Sequence, residues 1–320
     1  MPKVSILLTT LRPYYLDLAI ASALAQTYRD FELLIGDDCE DNQVESVVSK
    51  WEDPRIRYSR NPKKDGHSSN RDYLLRSAAG EYVKFLHDDD YLHPKSLELL
   101  VAAAEATRAG IAFHGRYRVD ASGCILAAEM DTPANTVKSY GSHEIMTRMV
   151  AGASNFIGEP SNILVDTRMF RGSSSAYAIG GRKLVFMEDV PLFVNAVASG
   201  MSIVGCGWFC SSYRVHGSQM STPTSSVFSA ALFEWEYLNR WAIDEGLLAD
   251  THFQQLALYL RSRYQEHTTR YPELSRFLQV GTTAVDGKYL TDPFLEALDL
   301  GWADIENRHR GSRRQVLAAI

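Results

Sequence analysis

The sequence has few cysteines, no long apolar run and no excess of basic residues. Its four cysteines, Cys39, Cys124, Cys206 and Cys210, match no common zinc or redox spacing, so we expect reduced thiols. No stretch approaches the roughly 18 consecutive apolar residues of a membrane-spanning helix. The net charge of -6 argues against nucleic acid as a partner, because binding a phosphate backbone usually needs a basic face.

Short apolar runs alternate with helical patterns over the first 120 residues. This alternation predicts a mainly parallel α/β sheet with helices on both faces, in which ligands bind beyond the carboxyl ends of the strands. The predicted strands are 4–10, 31–37, 56–59 and 82–86, and the predicted helices are 14–26, 44–51, 69–79 and 94–108.

The rest of the chain changes character twice. Residues 121–185 are less periodic and predict a mixed, partly antiparallel extension, followed by a helix over Val190–Ala198 and one or two strands over Ile203–Val215. Beyond Phe228 the pattern is helical, with further helices expected near 250–267, 291–300 and 302–319. We therefore separate residues 1–224 from a helical region, 225–320.

Three consecutive carboxylates, Asp88–Asp90, follow the apolar run at residues 82–86. Adjacent carboxylates repel one another, and a fold tolerates them best when a divalent cation or another positive group lies among them. The run therefore suggests a metal and phosphate site. The alternative is a solvated loop in which Asp90 caps the helix that begins near Pro94.

Polar side chains also follow the first two strands. Thr9, Thr10 and Arg12 end the first strand, and Asp37 and Asp38 end the second. The carboxyl ends of parallel strands share one edge of the sheet, so we expect these residues and the carboxylate run to converge on one crevice.

Three segments together resemble family 2 glycosyltransferases of the GT-A fold, in both order and spacing. They are Val4–Thr10, Ala25–Asp38 and Ala79–Asp90. The resemblance covers about residues 3–220. It implies a nucleotide-sugar donor whose pyrophosphate is held by Mn²⁺ or Mg²⁺, and inverting transfer to an acceptor hydroxyl. It also implies a nucleotide-binding half at 1–120 and an acceptor-binding half at 121–224.

The resemblance assigns several residues to the donor. Thr9 and Asp38 would contact the base, where an aspartate can accept the ring N–H of uracil or thymine. Thr10, Arg12 and Arg71 would lie near the donor as well. The alternatives are a turn or helix cap for Asp38 and an ordinary surface position for Arg71.

The resemblance also implies a metal set. Asp89 would coordinate the cation directly, and Asp88 would contact the ribose or the metal. Asp90 would lie next to these residues without coordinating the cation itself. His87 stands where the family often has an acidic residue, which is a departure from the pattern. His216 would be a further ligand, because neutral imidazole can bind Mn²⁺, although a histidine more often only forms hydrogen bonds.

By the same resemblance Asp189 is the general base. An aspartate with an ordinary pKa of about 3.9 is ionised at neutral pH, and such a base can take the proton of the acceptor hydroxyl. The alternative is a helix N-cap, which Asp favours and Pro191 supports. Both roles are compatible.

The sequence thus predicts a metal-dependent inverting glycosyltransferase that uses a UDP- or dTDP-sugar. Its acceptor would be a saccharide, lipid-linked or small-molecule hydroxyl, in polysaccharide, O-antigen or other glycoconjugate biosynthesis. The first residues enter a strand at once, without the pattern of a signal peptide, so we expect a cytoplasmic protein, with peripheral contact at the inner face of the membrane left open. Residues 225–320 could serve membrane contact or a homodimer.

Two other functions stay open at this point. A non-catalytic nucleotide-sugar binder or scaffold is disfavoured because a binder needs no base such as Asp189. A metal-dependent nucleotidyltransferase normally needs a glycine-rich, basic loop after the first strand, and residues 9–13 lack the glycines.

Overall fold

The computed structural model describes residues 1–63, 66–171, 176–217, 219 and 225–318, with the backbone alone for 309–318. The chain divides into two compact units, each drawn from separate parts of the sequence. The first unit contains residues 1–140, 156–173 and 200–216, and the second contains 141–155, 174–199 and 217–320. The functional boundaries that we place near residues 120 and 224 stay predictions.

The described residues form two sheets. The strands are β1 (Val4–Thr10), β2 (Phe31–Asp37), β3 (Ile56–Arg60), β4 (Tyr82–His87), β5 (Tyr91–Leu92), β6 (Ile111–Val119), β7 (Ile125–Glu129), β8 (Val137–Tyr140), β9 (Ile163–Asp166), β10 (Ala178–Ile179), β11 (Arg182–Lys183) and β12 (Ile203–Arg214). Strands β10 and β11 pair with each other in the second unit, and the other strands belong to the first.

The helices flank the sheet of the first unit and make up most of the second. They are α1 (Leu16–Leu24), α2 (Gln43–Val48), α3 (His67–Ser77), α4 (Ser96–Thr107), α5 (Ser142–Ile145), α6 (Val190–Ala198), α7 (Phe228–Asp244), α8 (Thr251–His267), α9 (Leu274–Gln279) and α10 (Asp292–Ala318). A π-helical turn covers Met146–Ala151, and 3₁₀ turns cover Pro160–Asn162 and Thr167–Phe170.

The large sheet has ten strands and combines a parallel half with a mixed half. Its order is β3-β2-β1-β4-β9-β6-β12-β5, with β7 beside β6 and β8 beside β12. The first four strands are parallel, and β9 joins the two halves by antiparallel pairing with β4 and β6. The predicted mainly parallel sheet with a C-terminal helical extension is confirmed, and so is the partly antiparallel section within 121–185.

The core of the first unit follows from apolar runs that are covered on both faces. Every residue of β1 and β2 is buried, as expected for central parallel strands. Helix α3 approaches β2 closely at Gly36, whose carbonyl accepts a hydrogen bond of 2.6 Å from Asn70 Nδ2. A Cβ at this glycine would overlap the Asn70 and Leu74 side chains, so the close approach requires glycine.

The register brings the polar strand ends together. Thr9 of β1 lies opposite Gly36 of β2 and His87 of β4, and Thr10 lies opposite Asp37. The expected convergence of these strand ends at one edge of the sheet is therefore confirmed.

The second unit corrects one expectation about the helical region. Residues 292–318 form one helix, α10, where we predicted two helices separated near residue 301. Gly301 lies inside this helix, and a Cβ added to it would come within 3.4 Å of the Phe233 and Phe277 rings, so the helix packs closely against these rings and this packing compensates for the weak helix preference of glycine. Helix α9 was not predicted.

Two expectations from composition concern the cysteines and membrane-spanning helices. All four cysteines are free thiols. Among the helices of the described residues, none combines the length and the apolar character needed to cross a membrane.

Candidate functional site

Two histidines and a threonine meet where β1 and β4 end. Thr9 Oγ1 lies 3.1 Å from Nδ1 of His67, which comes from the first turn of α3. The His67 ring meets the His87 ring edge-on, with 4.7 Å between the centroids.

Asp88 points towards the loop that follows β1. Its Oδ2 accepts three hydrogen bonds, from Thr10 Oγ1 at 2.9 Å, Leu11 N at 3.0 Å and Arg12 N at 3.1 Å. Three donors on one oxygen describe an anchor between the end of β4 and the loop after β1. This contact favours an anchoring role over the ribose and metal roles that the resemblance implies for Asp88, and those roles stay predictions.

Asp89 points in a different direction, towards the end of β12. Its Oδ2 lies 3.0 Å from Nε2 of His216, which follows that strand by two residues. A carboxylate oxygen and an imidazole nitrogen at this separation can bind the same cation. The structure thus brings together these two predicted ligands, although their role stays a prediction.

His87, Asp89 and Asp90 form a group of side chains in the described part of the chain that could hold a metal ion. One ligand atom from each lies within 4.8 Å of the other two. Burial and the Asp89 charge raise the pKa of the Asp90 carboxyl well above its ordinary value. A positive ion among these groups would oppose both effects.

Two buried atoms of this group lack hydrogen bonds. Asp90 is fully buried, and its Oδ1 accepts a hydrogen bond of 3.0 Å from Arg214 N. Its Oδ2 and the His87 Nε2 have no hydrogen-bond partner within the described ranges. The His87 Nδ1 atom lies 4.0 Å from Asp90 Oδ2, and carboxylate and imidazole atoms this close together fit a divalent cation. The predicted capping role for Asp90 is not observed, because the residue before α4 is Lys95.

Arg214 is a buried residue that sequence reasoning missed. Its guanidinium lies 4.2 Å above the Tyr15 ring, and its Nε donates to the carbonyl of Asp89 at 3.0 Å. Its Nη1 donates to the carbonyl of Asp120 at 3.0 Å. Arg214 therefore fixes the backbone under the carboxylate run. The only signal in the sequence is its position two residues before His216.

Asp38 is also engaged by its own loop. Its Oδ1 accepts from Asn61 Nδ2 at 2.8 Å, and its Oδ2 accepts from Gly66 N at 2.9 Å. These bonds close the loop between β3 and α3, of which residues 64 and 65 lie outside the described residues. A carboxylate has further lone pairs, so a base contact is compatible with this geometry and stays a prediction.

Arg71 and Arg12 lie at the same edge in different environments. Arg71 is buried on α3, so the ordinary surface position considered as its alternative is not observed. The Arg12 side chain is exposed in the loop after β1. Their predicted contacts with a donor stay predictions, as does that of Thr10.

Asp189 belongs to the second unit and immediately precedes α6. Its Oδ2 accepts a hydrogen bond of 2.9 Å from Asn155 Nδ2. The side chain makes no capping hydrogen bond to the helix, so the capping alternative has no support from this geometry. The role of general base stays a prediction.

The family profile that matches this chain and the two relatives described below are all of glycosyltransferases. Residues 6–124 match the profile described as Glycosyl transferase family 2. Over 108 residues the chain is 37% identical to the GalNAc(5)-diNAcBac-PP-undecaprenol beta-1,3-glucosyltransferase of Campylobacter jejuni. That alignment takes in 32% of this chain and 35% of the relative, so the chain spans about a third of the relative's length.

Two longer matches extend beyond the N-terminal segment. Over 226 residues the chain is 25% identical to the Escherichia coli UDP-Glc:alpha-D-GlcNAc-diphosphoundecaprenol beta-1,3-glucosyltransferase WfgD, covering 69% of this chain and 78% of that protein. The crystal structure of S. aureus TarS 1-349 in complex with UDP-GlcNAc superposes with a TM-score of 0.60 at 15% identity, covering 96% of this chain and 81% of that one. At this identity the likeness concerns the fold, and the predicted GT-A fold is confirmed.

Proposed function

We propose that this chain, whose residues 6–124 match the profile of glycosyl transferase family 2, transfers a sugar, with inversion, from a UDP-sugar to a hydroxyl of a lipid-linked saccharide. The observation that carries the proposal is the His87-Asp89-Asp90 group at the end of β4, level with the ends of β1 and β2. The two relatives support the acceptor class, since both are named for undecaprenol-linked saccharides. The name of the E. coli relative, which begins with UDP-Glc, supports the donor class.

We assign cation binding to Asp89 together with His87, Asp90 and His216. The 4.0 Å pair between His87 Nδ1 and Asp90 Oδ2 supports this set, and so does the 3.0 Å pair between Asp89 Oδ2 and His216 Nε2. Two imidazoles among the ligands favour Mn²⁺ over Mg²⁺, which prefers oxygen. When bound, the cation neutralises charge on the departing diphosphate.

We assign the proton transfer to Asp189. The acceptor oxygen attacks the anomeric carbon, the bond from that carbon to the diphosphate oxygen breaks, and UDP leaves. Asp189 takes the proton of the acceptor hydroxyl as the new bond forms, which typically contributes about 10²–10⁴-fold to the rate. The Asn155 amide supports the assignment, because its hydrogen bond of 2.9 Å orients the Asp189 carboxylate.

A lipid-linked acceptor would place the reaction at a membrane surface. We therefore propose peripheral association at the inner face of the membrane. The alternative that residues 225–320 form a homodimer stays a prediction.

The test is a panel of UDP-sugars and one dTDP-sugar with Mn²⁺ and a polyprenyl-diphosphate saccharide, with the product identified by mass spectrometry. We expect a UDP-hexose to give a β-linked product. Asp189→Asn should lower transfer by about 10²–10⁴-fold while UDP and Mn²⁺ binding, measured by calorimetry, stay within twofold of wild type.

Glu188→Gln is the matched control, because it removes the neighbouring charge and should retain most of the activity. Near-normal transfer by Asp189→Asn would remove that residue from the role of base. Binding of UDP-sugars without transfer to any acceptor would favour the scaffold alternative.

A further inference from the structure

A buried carboxylate of the second unit holds the chain segment that leads to Asp189. Glu234, on α7, is fully buried. Its Oε1 accepts from Val185 N at 2.5 Å, and its Oε2 accepts from Phe186 N at 3.1 Å and from Met187 N at 3.0 Å. One side chain thus satisfies three consecutive backbone donors in a segment without regular structure.

The C-terminal helix provides a further hydrogen-bond donor to this carboxylate. Trp302, on α10, donates from Nε1 to the same Glu234 Oε1 at 3.0 Å. Its indole meets the Tyr237 ring edge-on at 6.2 Å, and the guanidinium of Arg182 lies 5.9 Å from its ring. Arg182 also pairs with Asp299, one turn earlier on α10. Helices α7 and α10 therefore hold the segment from β11 to residue 187.

We propose that Glu234, assisted by Trp302, is a positioning residue that fixes segment 185–187 and thereby sets the direction of the Asp189 carboxylate. The inference rests on the proposed role of Asp189 as base. Only Glu188 separates the held backbone from Asp189, so a shift of Met187 is transmitted directly. The helical region 225–320 then serves transfer from a distance, through this segment.

The chemistry of the contact favours a carboxylate over any apolar residue. Burial raises the pKa of the Glu234 carboxyl above its ordinary value, and the four N–H donors oppose that rise. All four partners are donors, so the ionised form suits them. An apolar residue of the same size would avoid burying a charge but would leave three backbone N–H groups without an acceptor.

The same helix provides a matched control in Glu236, two residues further on. Glu236 is also buried, but its carboxylate binds Arg240 at 2.6 Å and the Tyr264 hydroxyl at 2.6 Å, within the helical core. Loss of either carboxylate should lower the melting temperature. Only loss of the Glu234 carboxylate should change the turnover of folded protein.

The experiment compares Glu234→Gln with Glu236→Gln in the full chain, by kcat, donor KM and thermal melting. The glutamine at 234 keeps one acceptor oxygen and turns an N–H₂ towards donors, so segment 185–187 must shift. A misplacement of about 1 Å can cost about 10²-fold, so we expect kcat to fall by about 10–100-fold with donor KM within about twofold. Glu236→Gln should keep its kcat. Trp302→Phe, which removes one donor and keeps an aromatic ring, should lower kcat by a few-fold and carries the test if Glu234→Gln does not fold.

A double-mutant cycle separates positioning from general damage. In an Asp189→Asn background, Glu234→Gln should lower the residual rate by less than about twofold, because both changes act on one function. Wild-type kcat in folded Glu234→Gln and Trp302→Phe would overturn the positioning role, and so would full additivity in the cycle. Wild-type activity of Asp189→Asn alone would instead overturn the proposed base, so the two failures are distinguishable.

Discussion

Replacing Asp88 with asparagine should loosen the loop after β1 while leaving Mn²⁺ binding nearly intact. The resemblance of the sequence to family 2 glycosyltransferases implies a metal or ribose role for this residue. In the structure its Oδ2 instead accepts hydrogen bonds from Thr10, Leu11 and Arg12. The substitution therefore separates an anchor from a ligand, because the two roles predict losses of different quantities.

The magnitude follows from what each donor can do without the charge. The Thr10 hydroxyl has a second acceptor, the carbonyl of Arg12 at 3.3 Å, so it loses little. The Leu11 and Arg12 amides lie in exposed residues, where water partly replaces the lost acceptor. At about 1 kcal/mol net for each hydrogen bond, Asp88→Ala should cost about 2 kcal/mol of unfolding free energy. Asp88→Asn should cost about 1 kcal/mol, since its amide oxygen can still accept.

Burial and the neighbouring Asp89 charge keep these costs at the low end. Together they raise the pKa of the Asp88 carboxyl, so the ionised form of Asp88 is electrostatically destabilised in the folded state. Replacing it with a neutral side chain removes part of this destabilisation and offsets some of the lost hydrogen bonding.

Urea unfolding measures the stability, and calorimetric titration with Mn²⁺ in the presence of UDP measures the binding. Asp88→Asn should keep its Mn²⁺ affinity within about threefold, whereas Asp89→Asn, the control, should lose at least about tenfold. Equal losses of Mn²⁺ affinity in the two variants would show that Asp88 is a ligand. The anchoring argument would then be wrong.

Two further predictions concern histidines. His87→Asp replaces a nitrogen ligand with oxygen and should shift the preference from Mn²⁺ towards Mg²⁺ by about tenfold, measured by titrating each metal with UDP; an unchanged ratio would remove His87 from the metal set. Burial lowers the pKa of His114, whose ring pairs with Ser96 at 2.7 Å, well below its ordinary 6.5. The native ring stays neutral while the unfolded chain binds a proton, so stability falls below about pH 6.5 by up to about 1.4 kcal/mol per pH unit. His114→Gln should reduce this slope by about one proton in unfolding experiments between pH 8 and 5, and an unchanged slope would contradict the assignment.

Much of the fold was predictable because the strands of a parallel sheet are buried along their whole length. The runs at 4–10 and 31–37 are continuous and apolar, and the structure places β1 and β2 at those residues. The helix at Val190–Ala198 was predicted with the same bounds. The error at α10 arose because local preference alone disfavours Gly301, whereas packing against Phe233 and Phe277 decides its conformation.

The candidate site was predictable in its composition and less so in its geometry. Asp89 and His216 were both expected near a metal, and they lie 3.0 Å apart although 127 residues separate them in the chain. Arg214 and Glu234 were missed. Each acts on backbone atoms of a segment remote in sequence, and no local pattern records such a contact.

Local residue order is enough to predict that acidic and hydroxyl side chains gather at one edge of a parallel sheet, because strand periodicity and the alternation of strands with helices depend on it. The groups that each carboxylate faces depend instead on how distant segments pack together. Asp88 and Asp89 are neighbours of the same chemical type, yet one meets the donors of the loop after β1 and the other meets His216 after β12. Successive side chains leave the backbone in different directions, and the groups that they contact belong to residues 78 and 127 positions away in the sequence.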